Sequence, residues 1–286
     1  MRRQIVCIAG PTASGKSSRA VEEALARNGE IISVDSRQVY RGLDIGTEKI
    51  TREEMRGVPH HLIDIRDPAE SYSAGDFVAD ATRLIDDISA REKLPVLIGG
   101  THFYFDALLS GLPTGVDANP VLREELEKLS SVRLFARIRE QDPRRAAELD
   151  PQNRRRLIRA LEIIETKGKV PARAPLASAY QVEWTIIDPP REELRANIDA
   201  RLKSAFERGL VEEVRRVRDA VGDARLNELG LEYRIVGEYL RGSPFFAKAT
   251  QGTRDEASLL PALSAKLWQY ARRQKAWLRK LGHPMS

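Results

Sequence analysis

Residues 10 to 17 read Gly-Pro-Thr-Ala-Ser-Gly-Lys-Ser. Gly10, Gly15, Lys16 and Ser17 therefore fill every fixed position of a G-x-x-x-x-G-K-[ST] phosphate loop. In such a loop the stretch Gly10, Pro11, Thr12, Ala13, Ser14 and Gly15 curls so that backbone N–H groups converge on phosphate oxygens, with a helix dipole behind them. Lys16 adds a point charge, and the Ser17 hydroxyl is suited to ligate Mg²⁺. The chemistry indicated is the holding of a polyphosphate. The loop does not say whether that polyphosphate is attacked by water, an alcohol or an amine.

The loop needs a strand before it and a helix after it, and the sequence supplies both. Ile5–Ala9 is an apolar run suited to a buried parallel strand, and residues 18–26 read as a helix with Val21, Ala24 and Leu25 inward. Three more strand-like runs follow, at Ile31–Val34, His61–Ile65 and Pro95–Ile98, separated by helical or loop segments. That alternation predicts βαβ units and a parallel sheet, with ligands at the carboxyl ends of the strands. The segments Asp35-Ser36-Arg37-Gln38 and Gly99-Gly100-Thr101 follow two of these runs and are candidates for the same site. His60 and His61 have the look of a metal pair, but no third ligand stands at suitable spacing, and they read as structural.

From Pro120 to about Lys167 the pattern turns helical and charged, broken at Asp142-Pro143 and Asp150-Pro151. Residues 116–180 are therefore expected to form a helical insertion, with residues 1–115 and 181–286 as the α/β core. Trp184–Ile187 reads as a strand returning to the core, and Arg191–Arg218 as helical with a break at Gly209. In a final helix from about Pro261 to Leu281, Leu263, Leu267, Tyr270, Ala271, Gln274, Trp277, Leu278 and Leu281 share one apolar arc. Arg272, Arg273, Lys275, Arg279 and Lys280 occupy the opposite half.

The chain has 286 residues, a net charge of +5, a pI near 9.3 and no stretch long and apolar enough to span a membrane. One cysteine, Cys7, points to a reducing cytoplasm. The charge is unevenly spread. Residues 264–286 hold six basic residues and no acidic one, and residues 150–173 hold seven basic against three acidic. Two such patches suit a polyanionic partner.

Several segments together resemble the tRNA dimethylallyltransferases. They are the phosphate loop, Asp35-Ser36-Arg37-Gln38-Val39-Tyr40 with Gly42-Leu43-Asp44-Ile45-Gly46-Thr47, Val58–Asp64, Gly99-Gly100-Thr101 with Tyr104, Arg156–Ile163, and Tyr270–Arg279. The resemblance runs from residue 5 to residue 280 in the family's order. It implies a phosphate-loop NTPase-like sheet with a helical insertion, and transfer of a dimethylallyl group from dimethylallyl diphosphate to the exocyclic amine of an adenine beside the tRNA anticodon. The loop and Mg²⁺ at Ser17 would hold the leaving diphosphate, with Arg201 as an added clamp. Asp35 would take the amine proton, and the Thr101 hydroxyl would bond the bridging oxygen. Asp35 also suits Mg²⁺ ligation or helix capping, and Thr101 a helix N-cap. Ser36, Arg37 and Gln38, with Asp35 and Thr101, would meet a flipped-out base. Arg123, Arg155, Arg156, Leu157, Ile158 and Arg159 of the insertion, with Arg234, Arg272 and Arg273, would contact the anticodon stem-loop. A monomer is expected.

The sequence departs from the family in two places. Glu232-Tyr233 stands where a glycine-tyrosine pair is more usual, and the insertion between Val116 and Tyr180 is short. Two other readings stay open. One is an adenylate isopentenyltransferase or phosphate-loop small-molecule kinase, which does not need the arginines of residues 154–159. The other is a non-catalytic tRNA-binding protein whose loop is a nucleotide switch.

Overall fold

Alternate residues of the first strand pack into different cores, and this is what organises the molecule. In the computed structural model, which describes residues 2–112, 116, 119–171, 179–243 and 258–281, strand β1 spans Arg3–Ala9. Ile5, Cys7 and Ala9 join one buried cluster, and Val6 and Ile8 join another. A strand buried on both faces belongs in the middle of a parallel sheet, and its uninterrupted apolar run follows from that. The other strands are β2 (Gly29–Ser33), β3 (His60–His61), β4 (Leu94–Gly99) and β5 (Tyr180–Ile186). All are parallel, in the order β3-β2-β4-β1-β5.

Helix α1 (Lys16–Ala26) covers one face through Ala20, Val21 and Ala24, which pack with Ile31, Val96 and Ile98. The larger cluster on the other face gathers α2 (Ala74–Ala90) and α3 (His102–Ser110) with the C-terminal helices. Ser73 starts α2 with a capping box, its hydroxyl taking the Asp76 N–H while the Asp76 carboxylate takes the Ser73 N–H. The sequence places a third strand over His61–Ile65, but only His60–His61 pair with β2. Leu62 and Asp64 adopt φ of 62° and 56°, which ends the extended run.

The described backbone divides into two compact units: Met1–Leu109 with Ser178–Ser286, and Ser110–Ala177. The second holds α4 (Pro120–Glu127), α5 (Ser131–Gln141), α6 (Pro143–Ala147) and α7 (Arg154–Lys167) around a core of its own. The C-terminal part of the first holds α8 (Arg191–Glu207), α9 (Leu210–Leu226), α10 (Leu231–Leu240) and α11 (Leu259–Leu281). Gly209, at φ 91°, makes the expected break between α8 and α9. No helix among the described residues is long and apolar enough to cross a membrane.

Candidate active site

The phosphate loop leaves β1 at Gly10. A side chain there would bring its Cβ within 2.6 Å of the Ser14 Oγ and 2.8 Å of the Ile187 carbonyl oxygen, so only glycine fits. Ala13 and Gly15 take left-handed φ of 61° and 79°. Gly15 then caps α1 with no side-chain bond, leaving the helix's first N–H groups for a ligand. The Ser14 hydroxyl is buried and has no partner among the described residues. Lys16 donates to the Pro11 carbonyl at 3.2 Å. Burial pushes its ammonium down to about 8, with Asp35 opposing and the Arg201 charge adding to the shift.

Residues 12–18 form one wall of a cavity of about 680 Å³ at the carboxyl ends of β1, β2 and β4. The other walls come from residues 35–38, 46–51, 99–101 and 229–233, with Arg201, Tyr270 and Gln274. Asp35 follows β2. One of its carboxylate oxygens accepts from the Arg37 and Gln38 N–H groups at 2.7 and 3.2 Å. The other oxygen has no hydrogen-bond partner among the described residues. Thr101 follows β4, and its hydroxyl oxygen accepts from the Ser36 N–H at 3.2 Å, tying the two strand ends together. Arg201, on α8, is mostly buried in the same wall. It donates to the Thr12 hydroxyl, the Gly46 carbonyl (3.3 Å) and the Glu232 carboxylate (3.1 Å).

Glu232 thus serves as the counter-charge to Arg201, and burial raises its carboxyl above the usual range. Its neighbour Tyr233 donates to the buried Glu213 at 2.6 Å. Glu213 also accepts the N–H groups of Asp44, Ile45 and Gly46 at 2.8–3.0 Å. This carboxylate, which has no ion-pair partner among the described residues, holds the loop whose carbonyls bond Arg201 and Gln38. Sequence reasoning missed Glu213, because a glutamate within a charged helix reads as solvated.

Several expected contact residues need correction. Leu157 and Ile158 are buried in the core of the second unit, so their side chains cannot reach a partner. Arg123 donates twice to the fully buried Glu162, at 3.1 and 2.8 Å, and Arg159 donates to it at 3.2 Å. Both arginines thus neutralise an internal carboxylate. Gln38 lines the cavity, but both N–H groups of its amide are committed, to the Thr47 and Glu48 carbonyls. Lys275 is not free on a basic face, because it pairs with Asp188 at 2.7 Å.

Arg155, Arg156, Arg234, Arg272 and Arg273 are exposed. The side chains of Lys280 and Leu281 lie outside the described residues. In the final helix Leu263, Leu267, Ala271, Gln274 and Leu278 are buried as expected. Tyr270 instead lines the cavity with its ring partly exposed, and the Arg273 guanidinium lies 5.9 Å from that ring's centroid. His61 donates to Glu30, which also pairs with Arg91 and Lys93, so this histidine belongs to a structural ion network.

The sequence profile of the IPP transferase family matches residues 38–281. The chain is 40% identical to the tRNA dimethylallyltransferase of Thermomicrobium roseum over 98% of its own length and 84% of that protein. It is 42% identical to the tRNA dimethylallyltransferase of a Roseiflexus species, over 97% and 90%. A tRNA isopentenylpyrophosphate transferase from Bacillus halodurans superposes with a TM-score of 0.70 at 38% identity, covering 97% of this chain and 87% of that one. A eukaryotic dimethylallyltransferase acting on tRNA superposes with a TM-score of 0.81 at 26% identity, covering 96% and 70%. With a phosphate loop, a free aspartate oxygen and a paired arginine around one cavity, and with likeness along nearly its whole length, the chain belongs to the IPP transferase family.

Proposed function

We propose that this prenyltransferase moves a dimethylallyl group from dimethylallyl diphosphate to the exocyclic amine of the adenine on the 3′ side of the tRNA anticodon. The observation that carries the reading is the union, in one cavity, of a phosphate loop with a carboxylate oxygen that has no hydrogen-bond partner among the described residues. In the reaction the C–O bond to the diphosphate breaks and its electron pair leaves with the diphosphate. The amine nitrogen bonds the freed carbon and gives up a proton. Lys16, Arg201 and the loop N–H groups oppose the charge growing on the leaving oxygen. In this reading the Thr101 hydroxyl donates to that oxygen. The free Asp35 oxygen takes the amine proton, which matters because the adenine lone pair is delocalised into its ring.

An oxygen-only donor set of the exposed Ser17 hydroxyl and diphosphate oxygens fits Mg²⁺, with Asp35 on the same cavity wall. The ion would supply further charge neutralisation of the diphosphate. Burial of an adenine in this cavity requires that it leave the anticodon-loop stack. Half-buried Arg37 on the cavity wall, and exposed Arg155, Arg156, Arg272 and Arg273 elsewhere, suit the phosphates and bases of that loop. The single buried thiol of Cys7 and a tRNA substrate are consistent with a cytoplasmic enzyme.

The test compares acceptors. The protein is incubated with isotopically labelled dimethylallyl diphosphate and Mg²⁺ and either unmodified tRNA or AMP. Label entering tRNA, with AMP inert, is the expected result. Label entering AMP alone would replace this function with an adenylate isopentenyltransferase.

A further inference from the structure

Gln274 lies 262 positions from the phosphate loop in sequence and touches it directly. Its side-chain oxygen accepts the Thr12 N–H at 2.9 Å, and its side-chain nitrogen donates to the Gly100 carbonyl at 3.0 Å. The side chain is buried. Gly100 is cut to fit it, since a Cβ at that position would stand 2.6 Å from the Gln274 nitrogen. The two groups it joins belong to the loop that carries Lys16 and the turn that carries Thr101. Tyr270, one helical turn earlier on the same face of α11, lines the same cavity.

We infer that Gln274 is a positioning residue for the transfer reaction: its amide fixes the phosphate loop against the Gly99–Thr101 turn, so that a diphosphate held by the loop meets the Thr101 hydroxyl. An amide suits this post because it offers one acceptor and one donor to two backbone groups of opposite kind, without charge. The inference rests on the reading that the loop holds the donor's diphosphate.

Two substitutions test it. Gln274→Met keeps length and burial but makes neither bond. Gln274→Glu, when protonated, restores both: its carbonyl accepts from Thr12 and its hydroxyl donates to Gly100. Ionised, it turns an acceptor toward the Gly100 carbonyl. The titratable and charged groups on the surrounding elements are Lys16, Asp35, Arg37, His102, Arg201, Glu232, Tyr270, Arg273 and the Lys275–Asp188 pair, and wild type shares them all. The ratio of variant to wild type at each pH therefore isolates the new carboxyl.

Single-turnover transfer should fall at least about tenfold in Gln274→Met at every pH, as expected for two buried hydrogen bonds lost from a reacting geometry. Gln274→Glu should stand within a few-fold of wild type at pH 6 and fall toward the Met variant by pH 9. Because the rescue is read within one variant, it holds even if Gln274→Met folds poorly. A Glu variant that stays within a few-fold of wild type through pH 9, where its carboxyl is ionised, or transfer by the Met variant within a few-fold of wild type, overturns the inference. Titration of wild type with inorganic diphosphate and Mg²⁺ separates the two claims. Absence of binding there would remove the donor reading itself, whereas binding without the pH-dependent rescue would remove only the role of Gln274.

Discussion

The cavity and the helical insertion both carry arginines and carboxylates, yet they use them in opposite ways. Around the core of the insertion the charges of Arg123, Arg159 and Glu162 are spent on one another: Glu162 is fully buried and takes both arginines, and Leu157 and Ile158 fill the core. In the cavity, groups remain available. Among the described residues the Ser14 hydroxyl is buried without a partner and one Asp35 oxygen accepts no hydrogen bond, and Lys16 is held below its usual range. A polar group taken out of water and left unsatisfied costs about 1–3 kcal/mol, so a fold keeps such groups where a ligand will satisfy them. Charge density alone does not mark a binding surface, and unspent hydrogen-bonding capacity is the better guide.

The largest effect that would sharpen this contrast is at Asp35. Asp35→Asn should leave diphosphate affinity unchanged and lower single-turnover transfer by ~10² to 10⁴, the usual share of a general base. A rate within a few-fold of wild type would move the proton to another acceptor and break the contrast at its centre.

Next in size is Lys16→Ala, which should weaken diphosphate binding by roughly tenfold to a hundredfold, as for a charge-assisted hydrogen bond lost from a shielded site. The sign with pH follows from the lowered ammonium: free Lys16 loses its proton near pH 8, so wild-type diphosphate affinity should fall as pH rises through that value. Lys16→Ala should lack that component when the two are titrated in parallel by calorimetry.

The exposed helix face should respond more weakly and with salt. Replacing Arg272 and Arg273 by Gln should reduce tRNA affinity and make the dependence of log K on log salt shallower by about one unit, at ~0.7 per phosphate neutralised on a single strand. Filter binding at several salt concentrations gives both values, and diphosphate binding should not change. The smallest effect on tRNA is expected at Arg123. Arg123→Gln should leave the salt slope as it is, because that guanidinium already serves Glu162. It should instead lower the unfolding midpoint, by about 1–3 kcal/mol of stability, because a buried carboxylate loses its bidentate partner. A shallower salt slope in this variant would return Arg123 to the tRNA-facing group.

What was legible in the sequence was whatever sat in one contiguous run. The phosphate loop, Asp35 and the Gly99–Thr101 turn each follow a strand, and a parallel sheet brings strand ends together without further information. The αL break at Gly209 was legible for the same local reason. The parts not legible depend on contacts between distant segments. Gln274 falls on the apolar arc of its helix by periodicity, and nothing in that period says that an inward amide meets a backbone N–H 262 residues away. Glu213 reads as one of several charges on α9 until three N–H groups of residues 44–46 are seen to converge on it. The hydropathy of His61–Ile65 suits a strand, but the positive φ of Leu62 and Asp64 leaves no trace in hydropathy.

If the cavity joins a dimethylallyl group to an adenine nitrogen, the product must carry that bond. Unmodified tRNA is incubated with the protein, dimethylallyl diphosphate and Mg²⁺, digested to nucleosides and examined by mass spectrometry, with ATP hydrolysis measured in parallel. The expected product is an adenosine carrying one dimethylallyl group on its exocyclic nitrogen, in the oligonucleotide that spans the anticodon loop, with no meaningful phosphate release from ATP. Unprenylated adenosine together with tRNA-stimulated ATP hydrolysis would contradict it and make the loop a nucleotide switch.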